Sequence, residues 1–440
     1  QQFKMIIVYS DNISNRLIYT LNVIFKNILK VDYNLVDLKT FHSSTNKVKI
    51  NYSHRKVGNC ISIKPHTILF ETNLKEQQIK VDWIDTIPYY FKTSDTADFN
   101  YDIFASTFYI VSRYEEYFTT KLDNHNRFKA EDSVAFKNNF LEIPVANIWA
   151  NELKKEILKK YPNLNFPIIK YSFINSIDID VAYAYKGKGF FRFFGGFIKA
   201  LVQLNFSEVK NRSNYIFKNE DIFNTYAKIL KLQTQFNTVN TYFINLGDSS
   251  KLDKNISYKK KAINKLIQQL ISAPNTTIGI HPSYASNLDY QKIKIEKDRL
   301  EKIINKKVAK SRQHYLMLKH PDTYQQLINF NIKHDYTMGY AGKVGFRAGI
   351  CTTYPFFDIL KNKEEKLLIT PFQIMDGTLN HYENLSPDQA TKKIKDIITV
   401  IKNNNGTFVS LWHNSSLSEV NEWKNWIKVY EDLVENATKN

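Results

Sequence analysis

The second part of the chain alternates between two hydrophobic spacings. Short β-type runs at 171–177, 238–244 and 276–280 alternate with helix-period stretches at 221–236, 257–271 and 288–308. Strands that alternate with helices of this length predict βα units and parallel strands, either open or closed into a barrel. The predicted fold class is therefore α/β.

The first part reads as a separate mixed α/β unit. Residues 3–9, 33–38, 48–52 and 60–63 look like short strands, whereas 15–29, 102–118 and 147–161 have helical periodicity. The last helix ends before Pro162, and prolines at 162 and 167 punctuate the segment that follows. We place a domain boundary there, with residues 1–165 as an N-terminal domain of unknown role and 166–440 as a second domain.

One insertion, at 187–206, is rich in Phe and Gly. Such a segment could touch a membrane or cover a substrate. Because the apolar run is short and interrupted, the pattern favours an irregular segment packed on the flank of the second domain.

Composition indicates a globular protein that is strongly basic. The chain has 440 residues, 43% hydrophobic and 14% aromatic, with a net charge of +18. The lysines are scattered, and no nucleic-acid-binding signature accompanies them, so we expect solvated basic faces and no nucleic-acid partner. A basic surface also suits an acidic glycan or anionic lipid.

The two cysteines and the first residues of the sequence indicate neither a disulfide framework nor a metal site nor a signal peptide. Cys60 and Cys351 cannot make a disulfide framework, and their spacing is not that of a metal site. Residues 1–5 lack the pattern of a signal peptide, and no stretch reaches the ~18 apolar residues of a membrane span. The default expectation is a cytoplasmic protein, with peripheral membrane contact left open.

Acids and histidines stand where the predicted strands end. Asp178 and Asp180 share one face at the tip of the first strand, since residues i and i+2 of a strand point the same way. His281 follows the strand at 276–280, and His413 follows a late strand at 408–412. Sites of α/β folds gather at these strand ends, so the four side chains predict a catalytic or metal site.

Several motifs resemble those of the polysaccharide deacetylases with NodB homology, the fourth carbohydrate esterase family. The motifs are SIDID at 176–180, HPSYAS at 281–286, SRQHYL at 311–316, HDYTMGY at 334–340 and LWHNSS at 411–416. The resemblance covers about residues 170 to 440. It is strongest toward a two-domain bacterial branch, in which FYIVSRYEEY, GFRAG and PFQIMDGTL look like recurring blocks.

This resemblance implies a fold and an activity. The fold would be a distorted (β/α) barrel. The protein would remove acetyl groups from N-acetylated sugars with a bound divalent metal, and the resemblance implies that this metal is zinc. Asp178 would be the catalytic base and His413 the acid that protonates the leaving amine. Arg312 would orient a catalytic acid, and Asp335 would keep His413 cationic.

The metal ligands implied by the resemblance are incomplete. Asp180 and His281 match the family pattern, but the usual second histidine, four residues after the first, is replaced by Ala285. Ser286, Asp178 or a residue from elsewhere would then be the third ligand. If none serves, the alternative is a catalytically impaired glycan-binding or scaffolding protein on the same barrel.

Three further residues are candidates for substrate binding. Arg347 lies between glycines and faces either a substrate or a structural salt bridge. Tyr284 and Trp412 adjoin the motif histidines and would stack on a sugar ring or pack in the core. Asp376, before a glycine, reads as a turn residue, and His314 as a structural one. The sequence leaves the oligomeric state open.

Overall fold

The computed structural model describes residues 5–45 and 47–439 of the chain. The first predicted strand begins, within these ranges, at Ile6, and residues 3 and 4 of that prediction lie outside them. Across the described ranges, every helix is too short or too polar to cross a bilayer.

The N-terminal part is built on a small parallel sheet with helices around it. The strands of this part are β1 (Ile6–Tyr9), β2 (Tyr33–Val36), β3 (Val48–Tyr52), β4 (Ile61–Ile63), β5 (Asp82–Ile84) and β6 (Ile87–Tyr89). The sheet has the order β2-β1-β3-β4, and β5 and β6 form a separate hairpin. The helices of this part are α1 (Asn15–Leu21), α2 (Leu38–Ser43), α3 (Ile103–Val111), α4 (Val134–Lys137) and α5 (Val145–Lys160).

The predicted helix at 102–118 is shorter than its periodicity suggested. Asp102 caps its start by accepting from the amides of residues 104 and 105, and the helix ends at Val111. Arg113 then has a φ of 56°, in the left-handed region that ends helices. Glu115 and Glu116 follow in a 3₁₀ turn and form ion pairs with Arg113, at 2.9 and 2.7 Å. Both acids are therefore held in ion pairs.

The second part is built on one open sheet. Its strands are β7 (Ser172–Ile179), β8 (Val239–Ile244), β9 (Thr276–Ile280), β10 (Lys310–Ser311), β11 (His334–Asp335), β12 (Tyr354–Asp358), β13 (Lys363–Ile369), β14 (Ile374–Met375) and β15 (Thr407–His413). The order is β12-β13-β11-β10-β9-β8-β7-β15-β14, and neighbouring strands are parallel except for β12 and β13. Among the described residues β12 does not pair with β14, so the sheet is α/β but not a closed barrel.

Helices connect these strands much as the spacing predicted. They are α6 (Phe190–Val202), α7 (Phe206–Lys218), α8 (Tyr226–Phe236), α9 (Lys261–Ile271), α10 (Gln291–Ile304), α11 (Asp322–Asn329), α12 (Pro387–Asn403) and α13 (Trp426–Thr438). The interpretation of 187–206 as an irregular packed segment is wrong, because α6 occupies most of it.

The register brings the carboxyl ends of the central strands to one edge of the sheet. Ile179 of β7 pairs with Ile244 of β8, which pairs with Ile280 of β9. Ser311 of β10 continues the row from Ile280. On the other side of β7, Asp178 lies directly across from His413 of β15. The side chains that follow these strands therefore lie along the same edge of the sheet.

The two parts of the chain share a continuous core. Phe357 of β12 packs between Tyr19 and Phe108, with ring centroids 4.8 and 5.3 Å away. Tyr19 also donates its hydroxyl to the carbonyl of Pro355, at 2.9 Å. The N-terminal helices thus cover the β12 edge of the large sheet, which shields its unpaired backbone from other strands.

Candidate active site

Two carboxylates stand at the tip of β7 in different environments. Asp178 is buried at 2% exposure, and Arg312 Nη1 donates to its Oδ1 at 2.9 Å. Arg312 is held in turn by a bond from Nε to the carbonyl of Tyr336, at 3.0 Å. The side chain of Asp180, one residue past the strand, is 26% exposed. One acid is therefore fully buried and anchored, and the other is partly exposed.

Asp180, His281 and His314 form a group with the composition of a metal site. Their ligand atoms all lie within 4.8 Å of one another. His281 Nε2 is 2.9 Å from Asp180 Oδ1, and His314 Nε2 is 3.5 Å from Asp180 Oδ2. A second imidazole therefore does lie beside Asp180, but it belongs to His314, which was predicted to be structural, and not to a residue at position 285.

Hydrogen bonds fix which ring nitrogen of each histidine faces the group. His281 Nδ1 lies 2.6 Å from the carbonyl of Arg312, and His314 Nδ1 lies 2.9 Å from Asp253 Oδ1. Both acceptors require a proton on Nδ1, so a neutral ring presents its Nε2 lone pair to Asp180. A carboxylate behind a histidine is the usual outer support of a metal ligand.

These donors fit a divalent cation. Asp180 Oδ1 is buried and has no hydrogen-bond partner within the described part of the chain, although His281 Nε2 is close to it. Two ligands of a tetrahedral zinc ion stand about 3.3 Å apart when their bonds are about 2.0 Å. The two separations from the Asp180 carboxylate, 2.9 and 3.5 Å, lie on either side of that value. Two imidazoles and one carboxylate also leave coordination positions open, as in catalytic sites.

The charges in the group interact strongly. Burial disfavours the charged form of Asp180. The attraction of His314 and His413 is larger than this effect and holds the pKa of the Asp180 carboxyl well below its ordinary range. Burial lowers the pKa of His314, but Asp180 and Asp253 raise it to about 9. Without a metal, a proton on His314 balances the carboxylates.

His413 completes the cluster on the opposite side of Asp180. Its Nε2 is 3.6 Å from Asp180 Oδ2, and its Nδ1 is 2.8 Å from Asp376 Oδ1. Asp376 also accepts from the His413 amide, at 2.7 Å, and from the hydroxyl of Ser416. Burial lowers the pKa of His413, but Asp376 and then Asp180 raise it to about 10.

Asp335 does not hold His413, contrary to the sequence-based expectation. Its carboxylate accepts from the hydroxyls of Ser311 and Thr337, at 2.7 and 2.9 Å, and from the Thr337 amide at 2.8 Å. Burial raises the pKa of Asp335 to about 6. This residue braces the ends of β10 and β11, and Asp376 takes the place that was expected for it.

Other expected site residues lie at the rim or outside the cluster. Ser286 donates its hydroxyl to the carbonyl of residue 283, at 2.7 Å. Trp412 is fully buried and packs on Tyr430, with ring centroids 5.3 Å apart. Arg347 makes a two-bond ion pair with Glu116, at 2.9 and 2.7 Å. The Ser286 hydroxyl is thus bonded to the backbone, Trp412 belongs to the core, and Arg347 forms the structural salt bridge.

A rim of aromatic side chains adjoins the histidines. The Tyr315 ring lies 4.5 Å from His314 and 5.2 Å from Tyr284. His125, from the N-terminal part, lies 4.7 Å from Tyr315. Of the three residues expected to bind substrate, Tyr284 alone lies in this rim.

The cluster opens into a cavity of about 180 Å³ that both parts of the chain line. Its walls include Asp178, Asp180, His281, His314, Tyr315, Tyr382, His413 and, from the N-terminal part, Arg127. A second cavity of about 230 Å³ adjoins it and shares Arg127 and Tyr382. Arg127 is fixed between the two by bonds to Asp123 Oδ2, at 2.7 Å, and to the carbonyl of residue 315, at 2.9 Å.

Comparisons with known proteins cover the two parts unequally. A model described as "Family of unknown function (DUF7033)" matches residues 6–162, which is less than half of the chain. No curated protein matches the sequence.

Two similar solved structures are polysaccharide deacetylases. One, from Mycobacterium smegmatis and titled putative, has a TM-score of 0.40 and 10% identity, and the alignment covers 62% of this chain and 86% of that one. The other, from Bacillus cereus, has a TM-score of 0.31 and 11% identity, with 61% and 87% covered. At TM-scores this low, the alignments assign neither fold nor activity to the chain.

Proposed function

We propose that this protein is a metal-dependent hydrolase that removes acetyl groups from the N-acetylated sugars of a polysaccharide or glycan. The observation that carries the proposal is the convergence of a His-His-Asp group, a separate anchored carboxylate and a carboxylate-supported imidazole in one cavity. These are the parts that hydrolysis of an amide needs: a metal site, a base and an acid.

Asp180, His281 and His314 would hold the metal. When bound, a divalent ion acts as a Lewis acid toward a carbonyl oxygen and lowers the pKa of the water that it coordinates. Zinc fits two imidazoles and a carboxylate with an open position, and it is the metal that we propose. Ser286 has no part in this ligand set.

Asp178 and His413 would move the protons. Arg312 holds Asp178 Oδ1, which leaves Oδ2 to take a proton from the attacking water. His413, protonated at Nε2 and supported at Nδ1 by Asp376, would donate to the departing amine. Each of these transfers is typically worth ~10²–10⁴-fold in rate.

The rim would bind the sugar, and the domain arrangement belongs to the same proposal. Tyr284, Tyr315 and His125 offer aromatic faces on which a pyranose ring can stack, beside the metal-type group. Residues 1–165 would form a separate N-terminal domain that supplies one wall of the cleft through Arg127, and residues 166–440 the catalytic domain.

The competing function is glycan binding without catalysis. Its main support in the sequence was the missing histidine at position 285. His314 Nε2 lies 3.5 Å from Asp180 Oδ2, and this second imidazole supports the catalytic proposal over the binding one.

Metal analysis and an acetate-release assay on N-acetylglucosamine oligomers test the proposal. We expect about one divalent ion per chain, and release of acetate that a chelator abolishes. Asp178→Asn should keep the metal and lower kcat ~10²–10⁴-fold, because it removes only the base. His314→Ala should lose both the metal and the activity.

The exposed His381 provides the matched control for the histidine variant. It lies outside the ligand group, so His381→Ala should retain metal and activity. If the purified protein binds oligomers but neither holds metal nor releases acetate after metal is supplied, the glycan-binding alternative is correct.

A further inference from the structure

The α6–α7 hairpin exposes an unusually apolar surface. On α6 the side chains of Phe190, Phe191, Ile198 and Val202 are 68, 91, 59 and 78% exposed. At about 100° per residue, these positions fall within an arc of about 120° on one side of the helix. Single exposed apolar residues are ordinary in globular proteins, but a contiguous face of them marks an interaction site.

Exposed apolar side chains also occur at the turn after α6 and on α7. Leu204, Phe206, Ile216 and Phe217 are 70, 72, 48 and 83% exposed. Unlike the other long helices of the second part, α7 has no fully buried residue. The apolar side of the hairpin is therefore turned away from the core of the chain.

The hairpin is nevertheless fixed at its base. Asp221 accepts the amides of Ala184, Tyr185 and Lys186, at 2.8, 2.8 and 2.9 Å. Phe193, about 60° outside the exposed arc of α6, packs on Tyr185 at 5.8 Å between ring centroids.

Arg212 ties the two helices together. It lies over the rings of Tyr185 and Phe193, and it donates to the Phe193 carbonyl at 2.7 Å. The outward orientation of the apolar face is therefore built into the fold.

Charge indicates what covers this face. Residues 186–218 contain seven Lys or Arg and a single acid, Glu208, which pairs with Arg212 at 2.8 Å. The remaining cations are Lys186, Lys188, Arg192, Lys199, Lys210 and Lys218. Arg192 and Lys199 flank the apolar arc of α6 at about 180–200° around the helix.

We propose that the α6–α7 hairpin docks on the surface of an anionic lipid bilayer, with its Phe-rich face in the headgroup boundary. Basic residues beside an aromatic and aliphatic face are the pattern of interfacial helices. The core of a protein–protein interface is instead depleted of charge. Each helix has 13 residues, about 20 Å, and cannot cross a hydrocarbon layer of about 30 Å.

Docking would also orient the cleft. Residues 181–189 lead directly from Asp180 into α6. The catalytic edge of the sheet would therefore stand close to the lipid surface. This last step rests on the proposed function, and it implies a glycan substrate that is held at a membrane.

Sedimentation of the full chain with vesicles tests the docking. We expect binding to vesicles of phosphatidylglycerol and phosphatidylcholine, and much weaker binding to phosphatidylcholine alone or in high salt. The triple variant Phe191→Ser/Phe206→Ser/Phe217→Ser should bind anionic vesicles at least about tenfold less, because three exposed rings no longer enter the interface.

The control is a double variant at exposed apolar residues outside the hairpin. Ile168 and Leu288 are 91 and 85% exposed, so Ile168→Ser/Leu288→Ser should bind vesicles as the unchanged protein does. Equal loss in both variants, or no binding to anionic vesicles, overturns the proposal. The proposal is also overturned if analytical ultracentrifugation shows a dimer that the triple substitution converts to a monomer, because a second copy of the chain then covers the apolar face.

The two proposals fail separately. Acetate release from soluble oligomers does not require a membrane, and the triple variant should retain it together with the bound metal. A chain that binds vesicles but never releases acetate keeps the docking proposal and loses the hydrolase.

Discussion

Replacing Asp376 tests the arrangement of the catalytic acid most directly. Asp376→Asn keeps the size of the side chain but removes the charge that lies 2.8 Å from His413 Nδ1. His413 must be protonated to donate to the leaving amine, so activity should fall as pH rises through the pKa of this imidazole. That pKa is about 10 with Asp376 in place.

The expected size of the effect follows from the contact. A carboxylate within about 4–6 Å raises the pKa of a cationic partner by about 1–3 units, and each unit is worth about 1.4 kcal/mol. Asp376 is the largest of the charges that raise the pKa of His413, ahead of Asp180. A cation bound to Asp180 would reduce that residue's share, which leaves Asp376 as the main support of His413.

The assay is the pH dependence of kcat/KM for acetate release. In Asp376→Asn the basic limb should move down by about 1–3 pH units. Asp335→Asn is the matched control, since Asp335 is also buried but contacts Ser311 and Thr337 rather than His413. An unmoved limb in Asp376→Asn, or an equal movement in Asp335→Asn, refutes the assignment of His413 as an acid supported by Asp376.

Three further substitutions address the metal, the pH dependence of stability and the junction of the two parts. Asp253→Asn removes the charged acceptor of His314 Nδ1 and should weaken metal affinity about 10–100-fold, as measured by competition with a chelator. An unchanged metal affinity would show that Asp253 does not support His314 as a ligand. Burial raises the pKa of Glu296 to about 7 from 4.5, so the folded state keeps a proton that the unfolded chain releases. Stability should therefore fall as pH rises between these values, by roughly 3 kcal/mol at most, and Glu296→Gln should flatten that slope in urea unfolding; an unaltered slope contradicts the reasoning. Arg347→Met removes two charged hydrogen bonds to Glu116, which keeps its ion pair with Arg113, and should lower the free energy of unfolding by about 1.5–3 kcal/mol. A loss below about 0.5 kcal/mol would mean that Arg113 alone is a sufficient partner for Glu116.

Hydrophobic spacing predicted the central part of the large sheet because each strand there is long enough to have a pattern. Eight residues of β7 and five of β9 give recognisable runs, and the acids and His281 follow them directly. Strand-end reasoning therefore brought Asp178, Asp180 and His281 together from the sequence.

The missed residues follow elements that leave no such pattern. His314 comes three residues after β10, and Asp376 follows β14, and each of these strands has only two residues. Applying the strand-end rule to SRQH as well as to HPS would have found His314. Nothing in the spacing indicates Arg127, because it reaches the cleft from a turn of the other part of the chain.

The segment 187–206, which contains α6, was predicted to be irregular for a different reason. Its glycines and adjacent phenylalanines resemble a loop, and a helix whose apolar side faces outward looks in the sequence like one that is buried. Hydrophobic spacing shows where such a face is, and only the tertiary structure shows that it stays exposed among the residues at 5–45 and 47–439.

Under the proposed function, the position of Arg127 would limit where a bound oligosaccharide can lie. A polymer that runs through the cleft must pass beside a guanidinium that is tied to Asp123 and to the backbone of residue 315, and so cannot swing aside. In the proposed hydrolase, this arginine would stand between the part of the chain of sugars in one cavity and the part in the other, at a point set by residues far from the cluster histidines in the sequence.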